Sequence, residues 1–135
     1  MKTRLVGIYS LDGLSCRLCL KEGTSGATFD TAPKKGETMR MDVSADFTRF
    51  NYTVGLLMHE VVEALMMIKR HRYEHDDHRN WSNDRFVFYF THAQFAEFIQ
   101  EAGEFLDDCY ADFKKAWHEW KRKPKPIKKR KRSKK

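Results

Sequence analysis

The sequence predicts an α+β domain: three short antiparallel strands, then two long packed helices, with a disordered basic tail behind them. Three observations carry this reading. Alternating apolar residues flank a tight-turn dipeptide near the start. Two later stretches repeat apolar residues every three or four positions, and residues 121–135 are dominated by Lys and Arg.

The first two strands are residues 4–10 (Arg-Leu-Val-Gly-Ile-Tyr-Ser) and 14–22, and Asp12-Gly13 between them is a hairpin dipeptide. Residues 23–36, rich in Gly, Thr, Ser and Lys and containing Pro33, read as a loop with a short extended piece around residues 27–29. Residues 37–44 alternate through Met39, Met41 and Val43, which makes them a third strand laid against the hairpin.

Asp46 or Thr48 is placed to cap the first helix, whose apolar positions Phe50, Val54, Leu57, Val61, Leu65 and Ile68 share one face. It is expected to fade near Arg72. Gly55 costs this helix about 1 kcal/mol relative to Ala, which is tolerable where another segment approaches closely. The polar stretch 71–85 has no apolar periodicity and reads as a loop, and residues 86–90 are an aromatic run that suits either an extended segment or the lead-in to a helix. Thr91-His92-Ala93-Gln94 is a capping box that opens the second helix, with a core stripe through Phe95, Phe98, Ile99, Ala102, Phe105, Cys109, Phe113 and Trp117. By its spacing from Phe95 and Ile99, His92 is expected on the buried side.

With 135 residues, 41% hydrophobic and 13% aromatic, the chain has material for one core, so residues 1–120 are expected to form one domain and 121–135 a tail. Of 26 Lys and Arg, eleven fall in the tail with no acid beside them. That leaves 15 against 19 acids, so the net +7 divides into a body near −4 and a tail of +11. Such a segment buries too little apolar surface to offset its ordering entropy. No apolar run is long enough to span a bilayer and no secretory pattern opens the chain, so the expectation is a soluble, cytoplasmic protein without membrane contact. Cys16, Cys19 and Cys109 are odd in number and read as free thiols. Cys16 and Cys19 form a C-x-x-C, but a zinc ribbon needs a second pair, and on a strand these two face opposite sides.

The best clue to chemistry is Leu-Met-His-Glu-Val-Val-Glu-Ala-Leu at residues 57–65. His59 and Glu63 stand at i and i+4, on one face of the helix, where they can grip a single metal ion. Glu60 points about a quarter-turn aside, which suits a group that takes a proton from water better than a further ligand. The plainer reading is a hydrogen-bonded i, i+4 pair on an exposed face. A rival set, His71, His75 and His78 with Asp76 and Asp77, lies in the polar loop.

A small antiparallel unit leading into this helix resembles the minimal zincin-type metallopeptidase core, in which a sheet precedes an H-E-x-x-H helix. It also resembles short uncharacterised bacterial and phage-encoded proteins that carry H-E-x-x-E-A there, followed by a helix opening with His. The resemblance covers roughly residues 37–101. In zincins both motif histidines bind zinc, the Glu between them is the general base, and a further ligand comes from downstream. His59 and Glu60 match the first ligand and the base, while Glu63 stands in place of the second histidine. His92 on the next helix then restores two imidazoles and one carboxylate. The resemblance implies a small metal-dependent hydrolase acting on a peptide or protein, or its inactive derivative. Its metal is Zn²⁺, with Mn²⁺ or Fe²⁺ equally suited to the donor set.

The alternative is a non-catalytic binding protein, an inhibitor or a nucleic-acid accessory factor. Lys128, Lys129, Arg130, Lys131 and Arg132 would hold a polyanion by counterion release, without sequence preference. No helix-turn-helix, zinc-finger or RNP-type signature accompanies the tail.

Overall fold

The computed structural model describes residues 1–30, 38–69, 72–74 and 86–122, with strand residues 72–74 and 86–88 described by their backbone alone. Strands β1 (Thr3–Leu11), β2 (Leu14–Lys21), β3 (Ala27–Asp30) and β4 (Met39–Ser44) form one sheet in the order β1-β2-β4-β3. The α+β class is as expected, but the sheet is four-stranded and mixed. β1 and β2 are the expected hairpin, with Asp12 and Gly13 both at positive φ in its turn. β4 lies against β2 as anticipated, yet parallel to it, and the short extended piece is a full strand, β3, antiparallel on the far side of β4. Alternation decides which side chains face the core, and it is silent about the direction of the neighbouring strand.

The register builds two distinct faces. Arg4, Leu20, Val43 and Ala27 align across the sheet on one side, as do Gly7, Leu18, Met41 and Phe29. On the other side run Ile8, Arg17, Arg40 and Asp30, and beside them Leu5, Cys19, Asp42 and Thr28. Both long helices pack on the first face, α1 (Phe50–Ile68) over β4 and β3, α2 (His92–Lys121) over β1. Between them Leu18, Leu20, Met41, Val43, Leu57, Val61, Leu65, Phe98, Phe105 and Phe113 are fully buried, each worth about 1.5–3 kcal/mol of apolar burial. The Tyr9 ring folds back over Gly7, into space that a Cβ there would enter. That fold-back lets the Tyr9 hydroxyl donate to Asp112 Oδ2 at 2.8 Å and sets its ring edge-on to Phe105.

The two helices are held differently. α2 begins at the expected capping box, in which Thr91 accepts from the Gln94 amide and Gln94 accepts from the Thr91 amide, and its last turn carries His118 and Lys121, the sign that suits a helix C-terminus. α1 has Arg49 at its N-cap with no side-chain cap, no acid in its first turn and no base in its last, so packing alone sustains it. Neither Asp46 nor Thr48 caps it. Asp46 instead accepts from the Gly23 amide and, at 2.9 Å, from Trp120 Nε1, tying the β2–β3 loop to the end of α2.

α1 ends at Ile68, a turn before the expected Arg72, and a small antiparallel pair follows: β5 (Arg72–Glu74) with β6 (Phe86–Phe88). The stretch 71–85 is therefore partly strand, and the aromatic run is extended. Phe95 and Ile99, placed in the core stripe by their spacing, are 42% and 46% exposed. Their turns precede Glu101, which pairs with Lys69 just past the end of α1, so the start of α2 overhangs its partner helix. Among the described residues no helix is long and apolar enough to cross a membrane.

Candidate metal centre

The middle of α1 brings His59, Glu60 and Glu63 together. One donor atom from each lies within 4.8 Å of the others. His59 Nε2 is 3.2 Å from Glu63 Oε2 and 4.0 Å from Glu60 Oε1. Their settings differ: the His59 side chain is 68% exposed, Glu63 18% and Glu60 only 9%. Helical phase explains the gradient. Phe50, which packs on Phe113 and Trp117, and Lys69, which pairs with Glu101, mark the flank of α1 that meets α2. At about 3.6 residues per turn, Glu63 projects from the flank turned away from α2, Glu60 sits between that flank and the core, and His59 points outward.

The donor set suits a divalent ion. Two atoms bound to one ion at about 2.1 Å each stand about 3.0–3.4 Å apart, and the His59–Glu63 separation falls inside that span without movement. Imidazole and carboxylate donors are of the kind that zinc, manganese and ferrous iron accept. Glu60, at 4.0 Å from His59 Nε2, stands just outside the co-ligand span.

His92 does not join this group. It is exposed in the first turn of α2, not buried as its spacing suggested. The helices run antiparallel, since Phe50 meets Trp117 and Lys69 meets Glu101. His59 lies ten residues before Lys69, and His92 nine before Glu101, on the outer side of that contact. At about 1.5 Å per residue these offsets place the two imidazoles roughly 28 Å apart along the helix axes. The group that the structure brings together is thus His59, Glu60 and Glu63, all from α1, without a second imidazole. Sequence reasoning took the start of α2 as packed against α1, and the overhang of α2 removes that premise.

The remaining candidates divide cleanly. His71, His75, His78, Asp76 and Asp77 lie outside the described residues, as do Lys128, Lys129, Arg130, Lys131 and Arg132 of the tail. The C-x-x-C is split by the sheet: Cys16 joins the core, whereas Cys19 sits on the opposite face beside Arg17 and Asp42. All three cysteines are free, and burial pushes the Cys16 and Cys109 thiols up to about 12, so neither is a thiolate nucleophile near neutral pH.

One feature escaped the sequence reading. At the C-terminal end of α2 an open hollow of about 590 Å³ is lined by Lys115, His118, Glu119, Lys121 and Arg122. The signal was present, since basic residues recur there at helical spacing, but Lys121 and Arg122 were counted with the tail and Lys115 with the helix. Compared with protein-family models, curated proteins and solved structures, the chain matches none of them.

Proposed function

We propose that the protein is a zincin-like metal-dependent hydrolase of small size, or an inactive derivative of one, built on His59, Glu60 and Glu63. The observation that carries this is the 3.2 Å separation of His59 Nε2 and Glu63 Oε2, the span of two ligands on one ion, with the Glu60 carboxylate beside it. His59 and Glu63 hold the ion, and Glu60 takes the proton of the attacking water. When bound, the ion supplies Lewis-acid polarisation of a carbonyl oxygen. Zn²⁺ is the first candidate, with Mn²⁺ and Fe²⁺ next.

Elemental analysis after reconstitution with each metal tests the reading. One equivalent is expected in the wild type and in Glu60→Gln, and none in His59→Ala or Glu63→Ala. Hydrolysis of a peptide library is expected to disappear in Glu60→Gln while its metal stays. Metal absent from every preparation, or unchanged in His59→Ala, refutes the site and leaves a hydrogen-bonded i, i+4 pair.

A second reading rests on a different observation, the gathering of exposed basic residues where α2 runs into the tail. Residues 114–135 hold 13 Lys or Arg and one acid. We infer that this end binds nucleic acid without sequence preference, which predicts strong salt sensitivity. Truncation after Arg122 tests it, with loss of binding at moderate salt as the expected result.

A further inference from the structure

Charge separates along α2. Residues 92–113 carry six acids and no Lys or Arg, and the balance reverses from Lys114 onward. The single acid of the basic end is already engaged: the Arg4 guanidinium of β1 pairs with Glu119 and holds its carboxyl below the usual range. The hollow beside it is therefore lined by Lys115, His118, Lys121 and Arg122 around a neutralised carboxylate. Lys121 is braced over the Trp117 ring, its ammonium 5.4 Å from the centroid.

We propose that this hollow is a seat for nucleic-acid phosphates, fixing on the folded domain the start of a contact that the tail continues. From Lys115 to Lys121 the helix advances about 9 Å, enough to face more than one phosphate of a strand. The acidic half of α2 repels the same strand, so the contact does not continue along that half of the helix. The contact reads backbone alone: Trp117 is buried and Lys2 covers Trp120 at 4.5 Å, so neither ring is open for a base to stack on. A membrane surface is the poorer occupant, because the exposed large apolar side chains among the described residues, Leu5, Ile8, Tyr52, Phe95 and Ile99 among them, all lie outside 114–122.

The inference rests on the tail reading above, and one titration series separates their failures. A short mixed-sequence single strand and its duplex are titrated at several salt concentrations against the full chain, the triple variant K115A/K121A/R122A, and the chain truncated after Arg122. The triple variant is expected to lower the slope of log affinity against log salt by about one per cation removed. The charge-preserving K115R/K121R/R122K is expected to restore it. Lys121→Gln alone should cost about one unit of slope, which keeps the test valid if the triple variant misfolds. A triple variant with wild-type slope overturns the seat even if truncation abolishes binding, whereas truncation without effect overturns only the tail. Phosphatidylserine vesicles that displace the nucleic acid at equal phosphate concentration overturn the choice of occupant.

Discussion

Gly55→Ala is expected to stabilise the protein, and the amount follows from its surroundings. Gly55 is exposed in the interior of α1, and a Cβ built on it meets nothing within 4 Å. The reason the sequence offered for a glycine there, close approach of another segment, is thus unmet among the described residues. What remains is its intrinsic cost, about 0.8–1.0 kcal/mol relative to Ala in a helix interior. Part of that acts through the unfolded chain, which Ala makes less free. For a folded unit of this size a gain near 1 kcal/mol corresponds to about 3–6 °C in Tm. With m near 2 kcal/mol/M, the urea midpoint should rise by about 0.5 M. The assay is equilibrium urea unfolding followed by tryptophan fluorescence, with an unchanged m required for the comparison. A lower midpoint refutes the reasoning, because it means that something fills the space beside Gly55. The site also tests function, since Gly55 stands one turn before His59 on the same face. A variant that gains stability but loses metal or substrate affinity would show that the bare helix surface serves the ligand.

Phe113→Ala should cost about 3–5 kcal/mol in urea unfolding, since Phe113 is fully buried against Phe50, while Phe95→Ala at the exposed start of α2 should cost well under 1 kcal/mol. Equal costs would contradict the overhang of α2. Asp46 titrates below the usual carboxylate range because the Gly23 amide and then Trp120 Nε1 donate to it, so its contribution is present above its unfolded pKa and is lost as pH falls through the lower folded value. Asp46→Asn should therefore remove part of the acid-side loss of stability, and a parallel pH profile for variant and wild type would count against the clasp.

The sequence was most legible where one residue type has one local use. Thr91 and Gln94 announced the start of α2 correctly, because a capping box is satisfied within a single turn. Asp12-Gly13 announced the hairpin for the same reason. The failures all involve relations between elements. Met39, Met41 and Val43 face the core as their alternation required, yet the direction of β4 and the insertion of β3 at its outer edge depend on chain routing. Phe95 and Ile99 keep the helical phase of the core stripe and still lie exposed, because α1 stops short of them. His92 failed with them, for a candidate ligand is only as well placed as the element that carries it. His59 and Glu63 kept their relation because it is internal to one helix.

The same contrast bears on why α1 is the place to look for function. This helix has no side-chain cap and no charges matched to its dipole, so it depends on the apolar face formed by Leu57, Val61, Ala64 and Leu65. Within that face's border stands Glu60, 7% exposed, a carboxylate whose desolvation the contacts it makes must offset. The proposed function gives that position a reason to carry a carboxylate beside the His59–Glu63 pair. Glu60→Leu tests that reason: it is expected to abolish hydrolysis of a peptide library, and a variant that keeps wild-type hydrolysis would refute the role given to the carboxylate.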